Sequence, residues 1–105
     1  MSVVVVRSYK HPGRLMPRAE RGLRARSVRL WPGQVMPWHS TKSREELVLV
    51  IEGRVRLDVR GARSGRVRQR AVREGSFAFL PAHTPHQVVN TSRRAARYVY
   101  VTGAA

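Results

Sequence analysis

The chain has 105 residues and a formal net charge of +15, from 21 basic and 6 acidic side chains. This length supports one domain with one core, residues 1–105, and is too short for two cores. The chain has no cysteine, which excludes disulfides and thiolate metal sites, so any metal must be held by nitrogen and oxygen.

Residues 1–20 are predicted to form an N-terminal arm. Val3 to Arg7 predicts one short strand, and His11-Pro12-Gly13 predicts a turn. The valine run is too short for a signal peptide or a membrane span, so we expect a cytoplasmic protein with no membrane association. An apolar edge strand in this arm would expose unpaired backbone groups. Pairing with a second subunit would cover them, which predicts a homodimer.

The rest of the chain is predicted to consist of short strands separated by turns. The predicted strands run from Leu23 to Trp31, Val35 to Ser40, Glu46 to Ile51, Arg54 to Arg60, Arg66 to Arg73, Phe77 to Leu80, Pro85 to Asn90 and Arg97 to Val101. β-branched and aromatic residues favour strands, whereas glycine and proline mark the turns. Strands that recur roughly every 8 to 12 residues are typical of a β-sandwich or barrel.

Two of these strands carry more specific expectations. Pro37 lies inside one of them, which indicates an edge or a bulge because proline cannot donate to a ladder. Arg54 to Arg60 alternates, so three apolar residues should point inward and four charged residues outward. With Arg66 to Arg73 it should form a hairpin whose outer face carries a row of arginines.

Two motifs combine glycines with residues that can bind a metal. In the first, five residues separate Gly33 from His39, one separates His39 from Thr41, four precede Glu46 and six precede Gly53. In the second, five residues separate Gly75 from Pro81, four precede His86 and three precede Asn90.

Two imidazoles and one carboxylate, from His39, His86 and Glu46, are the ligand types of a metal site with open positions. This set suits iron(II) and can also hold zinc, manganese or nickel. Glu46 shares its strand face with Val48 and Val50, and a carboxylate buried among valines would be costly without a cation. The alternative is that Glu46 pairs with one of the many arginines.

Together the two motifs closely resemble those of the cupin superfamily, over residues 33–53 and 75–90. The resemblance implies an all-β fold, an antiparallel jelly-roll barrel. It also implies that His39, Glu46 and His86 occupy metal-ligand positions for a divalent transition metal such as Fe, Mn, Zn or Ni.

The sequence departs from the cupin pattern at two positions. Thr41 stands where a second histidine is usual, and its hydroxyl could act only through a bound water. His83 stands where glycine is usual. It is interpreted as a turn residue with an unusual backbone angle, the alternative being an additional ligand.

Three functions remain open at this stage. The first is a metal-binding cupin with a cavity for a small, anionic molecule, an enzyme of the oxygenase, isomerase or lyase type, with Arg24, Arg26 or Arg44 attracting the anion. The second is a non-catalytic sensor with a weak metal site. The third is a nucleic-acid-binding barrel that uses a set of arginines, Arg54, Arg56, Arg66, Arg68 and Arg70.

The aromatic side chains are interpreted as residues of the core or of a dimer interface, because aromatics bury large areas. They are Trp31, Trp38, Phe77, Phe79, Tyr98 and Tyr100.

Overall fold

The computed structural model describes residue 4, residues 6–15 and residues 22–104. The chain forms short strands throughout these ranges. They are β1 (Gly13–Arg14), β2 (Arg24–Leu30), β3 (Val35–Ser40), β4 (Arg44–Glu52), β5 (Arg54–Arg60), β6 (Val67–Arg73), β7 (Phe77–Leu80), β8 (Pro85–Val89) and β9 (Ala96–Ala104). No helix among the described residues is long and apolar enough to cross a membrane.

The strands form two antiparallel sheets. The five-stranded sheet has the order β1-β2-β9-β4-β7, and the four-stranded sheet has the order β3-β8-β5-β6. Most strands that follow one another in the chain, such as β2 and β3 or β4 and β5, lie in different sheets. This repeated crossing is the arrangement of a jelly roll, so the predicted fold class is confirmed.

The core lies between the sheets and arises from alternation along the strands. In β4 the side chains of Glu46, Val48 and Val50 are buried, as predicted. From the other sheet, Val55 and Leu57 of β5 join the same core cluster. Because successive residues of a strand point to opposite faces, the alternation that buries the valines also carries Glu46 into the interior.

Gly53 forms the corner at which the chain passes from one sheet to the other, between β4 and β5. Its φ is +74°, a conformation that residues with a side chain rarely adopt. A Cβ at this position would lie 3.0 Å from the carbonyl oxygen of Ala95. The close backbone approach therefore explains why the first motif ends in glycine.

The N-terminal arm differs from the expectation. Val3 and Val5 lie outside the described residues, whereas Val4, Val6 and Arg7 are described and belong to no strand. For this described part, the strand predicted from Val3 to Arg7 is wrong. The edge of β2 is instead occupied by β1, whose two residues pair with Ser27 and Arg26.

The predicted outer row of arginines on β6 is also wrong. Arg70 lies opposite Leu57, and Arg68 lies opposite Val59, both on the face of the buried Val72. Partners in a ladder share a face of the sheet, so Arg68 and Arg70 point toward the inner side. The single arginine surface required by the nucleic-acid hypothesis is therefore not formed.

Asp58 is a further difference, because it was expected to be exposed with the other charged residues of β5. It lies on the outward face but is only 2% exposed. Arg56 donates two hydrogen bonds to its carboxylate, at 2.8 and 3.0 Å, and Gln87 donates one at 2.7 Å. These long neighbouring side chains cover Asp58, which periodicity alone does not show.

We expect Asp58→Asn to lower the free energy of unfolding by about 1–2 kcal/mol at pH 7, because hydrogen bonds to a charged group are lost. The loss is limited to this range because Arg56 is partly solvated, which weakens its interaction with Asp58. Burial raises the pKa of Asp58, but the bonds from Arg56 and Gln87 outweigh it and hold the pKa below its usual value. The stabilisation is therefore present above about pH 4, the unfolded pKa, and is lost as the pH falls through the folded pKa.

Urea unfolding of both proteins across a pH series measures this difference. Glu52→Gln is the control, because Glu52 also pairs with an arginine but is exposed, and its loss should cost less than about 0.5 kcal/mol. A difference between Asp58→Asn and the unmodified protein that persists unchanged in strong acid would contradict the assignment.

Candidate metal centre

The candidate ligands come from three strands of the two sheets. His39 of β3 lies directly opposite His86 of β8 in the ladder, and their ring centroids are 4.2 Å apart. Glu46 of β4 approaches from the opposite sheet. One ligand atom of each residue lies within 4.8 Å of the others, so the structure brings together the three residues that the motifs singled out.

A bulge in β3 sets the position of His39. The register between β3 and β8 shifts between Met36 and His39, the interval that contains Pro37. Proline cannot donate to the ladder, and a bulge redirects the side chains that follow it. The predicted role of Pro37 at an edge or bulge is confirmed on both counts, because β3 is an edge strand.

Both histidines are oriented by backbone carbonyls. Nδ1 of His39 lies 2.8 Å from the carbonyl oxygen of Pro37, and Nδ1 of His86 lies 2.9 Å from that of Thr84. A carbonyl only accepts, so each Nδ1 carries the proton and each neutral ring keeps its lone pair on Nε2. Metal-binding histidines commonly donate their second ring N–H in this way.

The Nε2 atom of His86 has no hydrogen-bond partner among the described residues, although the side chain is completely buried. It lies 3.3 Å from Oε2 of Glu46, within ion-pair distance but without hydrogen-bond geometry. A lone pair and a carboxylate oxygen repel each other at this separation unless a cation lies between or beside them. The donor set and the unpartnered nitrogen therefore fit a metal ion.

Protonation of His86 is the other means of relieving this repulsion. Burial lowers the pKa of His86, but the negatively charged carboxylate of Glu46 at 3.3 Å and the Thr84 carbonyl that faces Nδ1 raise it above its ordinary value. Nearby, burial and the negative charge of Glu46 raise the pKa of Tyr98, so Tyr98 stays neutral. The pocket thus favours a positive charge beside Glu46.

A cavity of about 500 Å³ is lined by two of the three residues, His39 and Glu46, and it is basic. Arg24, Lys42 and Arg44 line it, together with Tyr100. Arg44 is held in place by Thr102, whose Oγ1 accepts from Nε at 2.9 Å. Two of the three arginines proposed from sequence therefore reach this cavity, and Arg26 is not among the residues that line it.

Thr41 forms a structural cross-link to the following loop. Its hydroxyl donates to the carbonyl of Pro81 at 2.8 Å and accepts from the N–H of Thr84 at 3.0 Å. These bonds fix the loop whose Thr84 carbonyl orients His86.

His83 adopts the turn conformation that was expected. Its φ is +58°, it is exposed, and its N–H donates to the carbonyl of Lys42 at 2.6 Å. It does not belong to the cluster of His39, Glu46 and His86. Sequence reasoning did not identify the orienting carbonyls of Pro37 and Thr84, because backbone groups leave no signal in side-chain identity.

Comparison with known proteins agrees with this architecture. Residues 26–102 match the cupin domain family, well over half of the chain. The chain belongs to the cupin family. No curated protein matches this cupin.

Several solved structures share the fold of this cupin. Oxalate oxidase in complex with the substrate analogue glycolate aligns with a TM-score of 0.74 at 22% identity, over 79% of this cupin and 42% of that chain. The Cnp3 cupin domain of Schizosaccharomyces pombe aligns with a TM-score of 0.77 at 15% identity, over 90% and 64%. CENP-C of Drosophila melanogaster bound to CAL1 aligns with a TM-score of 0.73 at 14% identity, over 84% and 69%.

These identities are low, so the likeness establishes the fold alone. This cupin spans less than half of the oxalate oxidase chain. The similar structures include both an enzyme and a protein-bound domain, and one barrel can host many functions. Function must therefore be argued from the site.

Proposed function

We propose that this protein is a metal-binding cupin in which His39, Glu46 and His86 hold one divalent transition metal. The observation that carries the proposal is the buried, unpartnered Nε2 of His86 facing the carboxylate of Glu46. The donor set of two imidazoles and one carboxylate suits Fe, Mn, Ni or Zn and leaves coordination positions open. When bound, such an ion acts as a Lewis acid toward a ligand oxygen.

The molecule bound beside the metal is proposed to be a small organic anion. Three basic side chains, Arg24, Lys42 and Arg44, line the cavity, and among the described residues Glu46 is the only acidic one that does so. A cavity of about 500 Å³ is within the usual range for small ligands, roughly 300–1,000 Å³. The glycolate bound to oxalate oxidase is a small hydroxycarboxylate, which supports the same class here.

The first candidate is a metal-dependent enzyme of the oxygenase, isomerase or lyase type. The second candidate is a non-catalytic sensor, which is favoured by Thr41, because its hydroxyl is engaged with Pro81 and Thr84. Turnover of a small carboxylate by the metal-loaded protein would decide for an enzyme. Binding without turnover would decide for a sensor.

Metal titration of untagged, EDTA-treated protein tests the proposal. We expect one equivalent of Mn²⁺, Ni²⁺ or Zn²⁺ to bind by calorimetry. His39→Ala should weaken this binding by more than the roughly 10–100-fold loss that outer-shell substitutions cause. His39 is exposed, so the variant should remain folded.

The matched control is His83→Asn, because His83 lies outside the cluster and asparagine tolerates a positive φ. It should bind metal as the unmodified protein does. Binding that is unchanged in His39→Ala, or absent from the unmodified protein, would reject the metal centre.

We also propose that the protein is a homodimer, formed through the outward face of the five-stranded sheet. Leu47, Phe77 and Phe79 on this side are 37%, 65% and 53% exposed. Two copies with a net charge of +15 repel each other, so contact requires an uncharged patch, and these neighbouring strand residues provide one. The interface differs from the N-terminal edge considered from sequence.

Light scattering at micromolar concentration should give a mass of twice the 11.9 kDa of the chain. Leu47→Arg should reduce it to the monomer mass, because an unpaired charge buried in an apolar interface destabilises the dimer. Val67→Arg is the control, since Val67 is 44% exposed on the other sheet. A monomer mass for the unmodified protein would contradict the dimer.

A further inference from the structure

A groove separates the last strands of the two sheets, at the opposite edge of the four-stranded sheet from His39. β6 ends the four-stranded sheet and β7 ends the five-stranded sheet. They follow each other in the chain, yet the described pairings contain no ladder between them. The gap encloses a cavity of about 440 Å³.

The interior of the groove is apolar. Leu57, Val72 and Leu80 line it and are only 3%, 5% and 1% exposed. Ala78 of β7 also lines it, and its small side chain leaves the floor open. Val59 also lines the groove and, like Ala78, is half-buried, so an apolar body would cover the part of this apolar lining that is in contact with water.

Two arginines occupy positions in the groove where the fold would ordinarily place apolar residues. Arg68 and Arg70 lie on the inward face of β6, opposite Val59 and Leu57, and both line the groove. Neither makes an ion pair or a side-chain hydrogen bond to any part of the chain that the structure describes. Within the ranges that the structure describes, no acidic residue lines the groove, so two guanidinium groups are left for a negative partner.

We propose that this groove binds an amphipathic organic anion, a carboxylate with an aliphatic or aromatic body. The body would lie against Val59 and Ala78, above the buried floor, and the carboxylate would be bound by Arg68 and Arg70. Planar guanidinium groups pair with carboxylates through two parallel hydrogen bonds. The combination of an apolar floor with two unpaired cations at the rim selects this chemical class over neutral lipids and over cations.

The groove adjoins the proposed metal centre, since Val59 and Leu80, which line the groove, lie opposite His86 and Glu46 in their ladders. None of its lining residues lines the basic cavity at His39. The bonds from Thr41 to Pro81 and Thr84 join the loops between the two cavities. His39 belongs to β3, at the opposite edge of the four-stranded sheet from β6, so the loss of its side chain should leave binding of a ligand in the groove unchanged.

Calorimetry with octanoate tests the proposal. We expect one octanoate per chain, with at least tenfold weaker binding in Arg68→Gln and in Arg70→Gln, because each loses a charge-assisted hydrogen bond. Arg73→Gln is the matched control, since Arg73 lies on the same strand but on the opposite face. It should bind octanoate as the unmodified protein does.

Two further ligands and one variant complete the experiment. Acetate and octylammonium should bind at least tenfold more weakly than octanoate, because acetate lacks the aliphatic body and octylammonium lacks the negative charge. His39→Ala should bind octanoate as the unmodified protein does. Equal binding in the Arg68 and Arg70 variants, or loss of binding in His39→Ala, would overturn the proposal. So would absence of octanoate binding, which would leave the inward arginines only the role of preventing strand addition at this edge.

Discussion

His86→Ala is expected to lower the free energy of unfolding by about 3 kcal/mol or more and to abolish metal binding. The imidazole is completely buried, so its removal leaves a cavity. It also leaves Glu46, which is 6% exposed, without its nearest partner. Removing one member of a buried pair typically costs about 3–5 kcal/mol. Denaturant unfolding and metal titration measure the two effects.

His39→Ala separates these effects, because His39 is exposed while it belongs to the same cluster. It should lose metal binding with little change in stability. Adding Glu46→Gln to His86→Ala should recover part of the lost stability, since the unpaired charge is then removed. If His86→Ala unfolds at the same denaturant concentration as the unmodified protein, the pair does not contribute as described.

Gly53→Ala is expected to destabilise the protein by about 2–3 kcal/mol, through two separate causes. Alanine at φ +74° costs about 1–2 kcal/mol. In addition, its Cβ would lie 3.0 Å from the Ala95 carbonyl oxygen and 3.3 Å from the Ala96 Cα. Both contacts are to backbone, which cannot move aside as a flexible side chain can.

Gly33→Ala is a matched control for the backbone conformation. Its φ is +81°, but a Cβ there would have no atom within 4 Å. We expect it to cost only the conformational part, about 1–2 kcal/mol. The difference between the two variants in thermal or denaturant unfolding measures the close approach at the corner, and equal losses would show that the corner relaxes freely.

Much of the fold and the candidate site could be predicted from the sequence because the decisive signals are local. Alternation from Glu46 to Val50 gives both the strand and the buried face, and Pro37 indicates the bulge before His39. The glycine of the first motif at position 53 corresponds to a positive φ and a backbone contact. These signals depend only on neighbouring residues.

The sequence-based predictions are wrong or incomplete where a residue distant in the sequence sets the orientation or burial of a side chain. Arg68 and Arg70 were placed outward because charged residues usually are, whereas the buried Val72 sets the phase of β6 and turns them inward. Asp58 is covered by Gln87, which lies 29 positions away. The partners of Thr41 are backbone groups 40 and 43 positions away, which no local pattern reveals.

The distribution of the candidate ligands over both layers has a consequence for unfolding. His39 and His86 belong to the four-stranded sheet, and Glu46 belongs to the five-stranded sheet. An ion bound to all three would join the layers across the core, so separating them would require releasing it. Saturation at 100 times the dissociation constant adds about 2.7 kcal/mol, and chelation should therefore accelerate amide exchange on both sides of the barrel together.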